Sequence, residues 1–320
     1  MSTKTLVIVQ NIDKSLSQKI QEAIPDWTII AGKEQDVWQD HLKKAEIIVG
    51  WNKEVEAASP QEHPNLKWIQ SWSAGVNNLP LDHLAAKKIF VSSASGVHAY
   101  PISETILALM LSLTRKIHTF IRNQQAKTWH HSGLKLELHG KTVGIIGVGE
   151  IGKETAKIAK AFNMTVLGIK RSGNEEEYVD RMYTIDQLHA VLPQCDYVVV
   201  TLPLTKETHH LFGYEQFKQM KQSAFFINIG RGEIVDEQAL ITALQEGDIA
   251  GAGLDVFEQE PLGEDSPLWD MDNVIITPHC AGATEHYASR VIEDIFLPNL
   301  KNYLAGVKLT INLVDFKKGY

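Results

Sequence analysis

At 320 residues, 44% of them apolar and 22% charged, the chain has an ordinary soluble composition and enough length for two domains. A net charge of −8 argues against a general nucleic-acid surface, which needs clustered Lys and Arg, and no apolar run approaches the about 20 residues of a membrane-crossing helix. Two cysteines, Cys195 and Cys280, cannot build a disulfide framework and neither has metal-ligand spacing, so reduced thiols and no metal are expected.

The chain opens directly in an apolar run with no signal-peptide organisation, which predicts a cytoplasmic protein. Short β-branched runs then alternate with helical patterns: "TLVIV" at Thr5, "WTIIA" at Trp27, "AEIIVGW" at Ala45, "LKWIQSW" at Leu66 and "KIFVSS" at Lys88. That rhythm predicts parallel strands joined by helices. A long helix is expected from near Pro101 through "SETILALMLSLTRKIHTF", with Ser103 as its start signal. A second series follows in "TVGII", "MTVLGIK", "CDYVVVTLPL", "SAFFINIG", "IAGAGLDVF" and "NVIITPH", and the chain closes on a long amphipathic helix. Two doubly wound parallel-sheet α/β domains are expected. One spans residues 1–100, completed by a returning segment 286–320, and the other spans 101–285.

"GVGEIG" follows an apolar strand and opens a helix, the context that the G-x-G-x-x-G fingerprint needs to mean a dinucleotide. Gly147 permits the tight turn, Gly149 the approach of a pyrophosphate and Gly152 close packing of helix on strand. The pyrophosphate would rest on the amides of Glu150 and Ile151. About 20 residues on, where an acid would bind the ribose of NAD, stand Lys170, Arg171 and Ser172. Two cations and a hydroxyl suit the 2′-phosphate of NADP(H), with NAD(H) as the second choice; a solvated basic turn is the alternative reading.

Three more motifs end strands of the same series: "NIGRG" with Arg231, "GLDVFEQEP" with Asp255 and Glu260, and "PHCAGAT" with His279. Ligands of open α/β sheets bind beyond the carboxyl ends of the strands, where all of these side chains can converge. A carboxylate beside an imidazole favours its protonated, donating form, although a buried ion pair with only a stabilising role would look the same.

With "SAGV" at Ser73 and "LPLTKET" at Leu202, these motifs run in the order found in the D-isomer-specific 2-hydroxyacid dehydrogenases, which the chain resembles over nearly its whole length. The resemblance implies a Rossmann nucleotide domain inserted in a flavodoxin-like substrate domain. It implies an NAD(P)-dependent enzyme that interconverts 2-oxo acids and D-2-hydroxy acids by hydride transfer. Arg231 would bind the substrate carboxylate and polarise the carbonyl, His279 would be the acid and base, and Glu260 its partner. Asp255 would bond the nicotinamide carboxamide or merely cap local backbone. Pro203, Thr208, Ile229 and Gly282 would lie along the cofactor. The amides of Ala74, Gly75 and Val76 would face the substrate, with Trp51 and Tyr100 as pocket walls or plain packing. Asn77 stands where the family often has Asp. Glyoxylate or hydroxypyruvate would be the substrate. The family also implies a homodimer, for which the helix "ILALMLSL" at Ile106 and the segment "QQAKTWHH" are the expected surface. A dinucleotide-sensing, corepressor-like binding protein is the alternative function. Cys280 is expected as a small packing residue, and His98, His130 and His131 as ordinary surface or hinge residues.

Overall fold

The computed structural model describes residues 4–58, 64–76 and 79–316, so Asn77 falls outside the described residues. The chain forms two compact units, Met1–Val97 with Thr284–Tyr320, and His98–Ala283.

In the smaller unit, strands β1 (Thr5–Ile8), β2 (Thr28–Ala31), β3 (Ala45–Val49), β4 (Trp68–Gln70) and β5 (Phe90–Ser92) form one parallel sheet in the order β2-β1-β3-β4-β5. That is the flavodoxin-like order. β1 is buried along its whole length because helices cover both faces of a parallel sheet. Helix Lys14–Ala23 starts on Asp13, whose carboxylate accepts from the Leu16 amide at 2.8 Å, and it turns Leu16 and Ile20 onto Leu6 and Ile8. The chain's last helical stretch, 287–304, packs Phe296 against Trp68 with ring centroids 5.1 Å apart. Buried Asn299 accepts from the amides of Thr310 and Ile311 and so fixes the chain beyond it.

In the larger unit, β6 (Thr142–Ile146), β7 (Thr165–Ile169), β8 (Arg181–Tyr183), β9 (Tyr197–Val200), β10 (Phe225–Asn228), β11 (Gly251–Leu254) and β12 (Val274–Ile276) pair in parallel in the order β12-β11-β10-β9-β6-β7-β8. Renumbered within the unit this is the Rossmann order 3-2-1-4-5-6 with one further strand. It puts the reversal of direction, where dinucleotides bind, between β6 and β9. Sequence patterning does not show β8. Its residues, Arg-Met-Tyr, form a partly exposed edge strand with no apolar run to mark it.

Two expectations are corrected here. The long helix is two helices, Ala99–Thr114 and Ile117–Gln125, divided by Lys116 in the left-handed region at φ 54°. It starts at His98; Ser103 lies inside it, buried, donating to the Tyr100 carbonyl at 2.8 Å. The apolar side of "ILALMLSL" is also not a surface. Ile106, Leu109, Met110 and Leu113 are buried in a core with Val143, Ile145 and Ala156, which leaves them nothing to offer a second chain.

Candidate active site

The glycine loop joins β6 to helix Glu150–Ala161. Gly147 has φ 114°, and a Cβ there would come within 2.9 Å of the Leu202 amide nitrogen beyond β9. The loop is pinned to both neighbouring strands: the amides of Gly147 and Val148 donate to the Ile169 carbonyl, and the Thr201 hydroxyl donates to the Gly147 carbonyl at 2.7 Å. A Cβ at Gly152 would meet the Gly147 carbonyl oxygen at 2.7 Å, so helix and loop touch through this residue. At Gly149 a Cβ would meet nothing within 4 Å. The helix makes no side-chain cap there, so its first amides, those of Glu150 and Ile151, keep their donors for an anion. Open space in front of uncapped amides fits a pyrophosphate.

Beyond β7, Lys170 is half-buried and paired with Glu176, while Arg171 and Ser172 are exposed. Glu176 also meets Lys153 of the helix's first turn at 3.3 Å. Its carboxyl lies below the usual range, first because Lys170 donates to it; burial opposes this, and Lys153 adds to it.

The turn after β9 is braced from inside. The Thr208 hydroxyl accepts from the Thr205 amide and donates to the Pro203 carbonyl, both at 2.8 Å, and Pro203 itself is exposed. After β10, Ile229 is buried and Arg231 is exposed, with one guanidinium nitrogen donating to the Gly230 carbonyl at 2.7 Å. Asn228, a residue that sequence reasoning did not single out, shapes this turn. Buried to 1% exposure, it accepts from the Gly230 amide and donates to the Arg231 carbonyl, each at 3.1 Å. Its signal was available, since an Asn at a strand end tends to bond its own backbone. Gly232 lies so near the Phe257 carbonyl that any Cβ would overlap it, which packs the turn of Arg231 on the chain leading to Glu260.

Glu260 and His279 are brought together. Oε2 of Glu260 is 2.6 Å from Nδ1 of His279, and Oε1 accepts from the Phe257 amide at 3.1 Å. An ionised carboxylate only accepts, so Nδ1 carries a proton and Nε2 is the ring nitrogen left for proton exchange. Burial works to raise the Glu260 carboxyl, yet the bonds from His279 and Phe257 and the charges of His279 and Arg231 bring it below its ordinary value of 4.5.

His279 is itself in the left-handed region, at φ 50°. Asp255 holds it there. Its carbonyl accepts from the His279 amide at 2.8 Å, and its carboxylate accepts from the Thr277 hydroxyl and the amides of Cys280 and Ala281. At 2% exposure, Asp255 makes the bonds of a backbone cap. Gly282 continues the loop, and its carbonyl lies 3.1 Å from Nδ1 of His98. Of the surface and hinge alternatives, His98 fits the second: half-buried and first in the larger unit, it also braces the loop that carries His279. Cys280 is a further correction, since it is exposed rather than packed. His130 and His131 are exposed.

Tyr100 of the larger unit is half exposed. In the smaller unit Ala74 and Gly75 are exposed in a loop that Ser71 and Ser73 tie by their hydroxyls, Val76 is in the core, and Trp51 is 8% exposed. Among the described residues, no group of His, Cys, Asp and Glu could hold a metal ion, and no helix is long and apolar enough to cross a membrane.

The profile of the D-isomer specific 2-hydroxyacid dehydrogenase NAD-binding domain matches residues 107–281. A glyoxylate/hydroxypyruvate reductase B from Escherichia coli (strain SMS-3-5 / SECEC) is 40% identical over 321 residues, covering 97% of this chain and 98% of that protein. Among solved structures, a D-isomer specific 2-hydroxyacid dehydrogenase family protein from Aeromonas salmonicida subsp. salmonicida A449 superposes with a TM-score of 0.84 at 33% identity, over 98% of this chain and all of that one. A D-isomer specific 2-hydroxyacid dehydrogenase from Xanthobacter autotrophicus Py2, in complex with NADPH and MES, gives 0.79 at 30% identity over the full length of both.

Proposed function

The chain belongs to the D-isomer specific 2-hydroxyacid dehydrogenase family and is an NAD(P)-dependent oxidoreductase, and from that premise we propose that it reduces glyoxylate, whose product is achiral, or hydroxypyruvate, whose product is the D-2-hydroxy acid, with NADPH as the preferred donor. The reduced nicotinamide supplies the hydride. The amides of Glu150 and Ile151 hold the pyrophosphate, and Arg171 with Ser172 meets the 2′-phosphate. Pro203, Thr208 and Ile229 shape the path between, and Asp255 and Gly282 hold the loop at its far end.

Arg231 binds the substrate carboxylate as a fork, a geometry that the point charge of Lys does not reproduce. His279 gives the proton on Nε2 to the carbonyl oxygen as the hydride arrives at carbon, and takes it back in the reverse direction. Glu260 fixes the ring and balances its charge. Ala74, Gly75 and Val76 are assigned to the substrate carboxylate, and Trp51 and Tyr100 to the substrate side chain. The observation that carries this reading is the 2.6 Å contact of Glu260 with Nδ1 of His279, which leaves Nε2 for the proton. The test is a panel of 2-oxo acids assayed with NADPH and NADH by loss of reduced-nicotinamide absorbance. Turnover of glyoxylate or hydroxypyruvate with a lower KM for NADPH supports the proposal. Inactivity on the whole panel, with binding of partner proteins instead, would favour the sensing alternative.

We also propose a homodimer through the larger unit, on a surface shifted from the buried Ile106 helix to the segment after it. Helix Ile117–Gln125 has no buried residue, Ile121 is 51% exposed and Trp129 is 99% exposed. Sedimentation should give a dimer that Trp129→Glu dissociates; a monomeric wild type would contradict this.

A further inference from the structure

The two cations after β7 differ in what they touch. Arg171 is exposed and, among the described residues, in no ion pair; Glu207 lies within its electrostatic reach. Lys170 is bonded to Glu176, and the same carboxylate meets Lys153 from the first turn of the cofactor helix, which in turn meets Glu150 at 3.5 Å. Glu176 is therefore shared between two ammonium groups. One comes from the end of β7, where the ribose is assigned, the other from the helix whose first amides are assigned to the pyrophosphate.

Backbone geometry puts Glu176 there. Gly173, at φ 63°, bonds back to the Lys170 carbonyl. The chain then returns to the sheet through Val179, which donates to Glu176, and Asp180, which donates to Val166. Lys160 holds Asp180 at 2.9 Å. The side chain of Glu176 is 16% exposed, whereas its neighbours Glu175 and Glu177 are exposed, and neither forms an ion pair among the described residues. Of three consecutive acids, one is turned inward onto the lysines.

We propose that Glu176 is a specificity-determining residue: by pairing with Lys170 and Lys153 it withholds both charges from a 2′-phosphate, leaves Arg171 to select it, and sets a moderate preference for NADP(H) that lets NAD(H) serve as well. The proposal rests on the reading of residues 170–172 as the 2′-phosphate site. The single negative charge of Glu176 offsets one of the two positive charges at the distance of a bound phosphate, and Glu150 at 3.5 Å from Lys153 offsets the other. A ribose without phosphate carries no charge and is indifferent to this arrangement.

The experiment is calorimetric titration of the full chain, at low and fixed ionic strength, with adenosine 2′,5′-bisphosphate and with adenosine 5′-monophosphate. Glu176→Gln should bind the bisphosphate about tenfold more tightly than wild type and the monophosphate within about twofold of it. Glu175→Gln, with the same change in net charge, should shift the bisphosphate by less than about threefold. Adding Lys170→Gln should cancel the gain in the Glu176→Gln background and do little in the wild type, the coupling expected of a masked cation. Equal shifts for Glu176→Gln and Glu175→Gln, or weaker bisphosphate binding by Glu176→Gln, would overturn the proposal. If Glu176→Gln does not fold, Lys170→Gln and Arg171→Gln decide alone: the first should lose less than about threefold and the second more than about tenfold, and equal losses overturn it. A wild type that binds both nucleotides equally, with Arg171→Gln silent, would instead remove the underlying 2′-phosphate reading and the proposal with it.

Discussion

The two ends of the larger unit's sheet are built differently. At the β11 and β12 side, the turns of His279, Arg231 and Glu260 are held by two buried side chains and one close approach: Asp255 takes two amides and a hydroxyl, Asn228 clasps the Arg231 turn, and Gly232 lets two loops touch. At the β7 side, Lys170, Arg171 and Glu176 act through partly exposed charges. Reaction chemistry needs atoms placed to within fractions of an ångström, which buried hydrogen bonds provide. Choosing between two cofactors needs a graded bias, which exposed charges give. Substitutions at the first end should therefore act on turnover as all or nothing, and those at the second end on cofactor choice in proportion.

The largest effect is expected for His279→Ala, which should lower kcat for reduction by about 10²–10⁴-fold while the Kd for NADPH stays near wild type. A kcat near wild type would break the comparison at its strongest point. Next is Asp255→Ala, which leaves the Cys280 and Ala281 amides without their acceptor. It should cost about 3 kcal/mol of stability in denaturant titration and most of the activity, whereas a stable variant that lost only nicotinamide affinity would assign Asp255 to the cofactor instead. At the other end, raising salt from about 0.05 to about 0.5 M should shrink the NADPH over NADH advantage in kcat/KM by roughly three- to tenfold. A ratio indifferent to salt would mean that selection is not made by exposed charge.

The smallest effect concerns pH. The Glu260 carboxyl is lowered in the folded chain, so its stabilising contribution is present above the usual value of 4.5 and is lost as pH falls through the lower folded value. Glu260→Gln should melt roughly 1–3 °C below wild type at neutral pH, and the gap should close in acid. A gap that widened in acid would reverse the sign argued for the pair.

Much of this was legible in the sequence because the loops that matter are marked by residues with few alternatives. Gly147 and Gly152 are confined by the backbone that approaches them, and β6, β9 and β10 announce themselves as continuous apolar runs. The parallel sheets followed from the alternation with helices, whereas the Rossmann and flavodoxin-like arrangements came from the family resemblance. What escaped lacks such a mark. β8 is an edge strand of mixed polarity, the break at Lys116 depends on one residue adopting positive φ, and "ILALMLSL" reads the same whether its face meets its own sheet or another chain. In the site, Arg231, Glu260 and His279 were visible by motif. The bracing role of His98 depends on a contact between residues far apart in the chain, and the inward turn of Glu176 on how one loop folds back, whereas the local bonds of Asn228 were within reach of the sequence.

The most direct test of the account is a crystal structure of the ternary complex with NADPH and oxamate, an unreactive 2-oxo acid analogue. The account predicts the Arg231 guanidinium on the oxamate carboxylate and Nε2 of His279 within about 3.2 Å of the carbonyl oxygen, with the nicotinamide facing the carbonyl carbon. An oxamate held without Arg231, or a His279 ring whose Nε2 points away from the carbonyl, would contradict it.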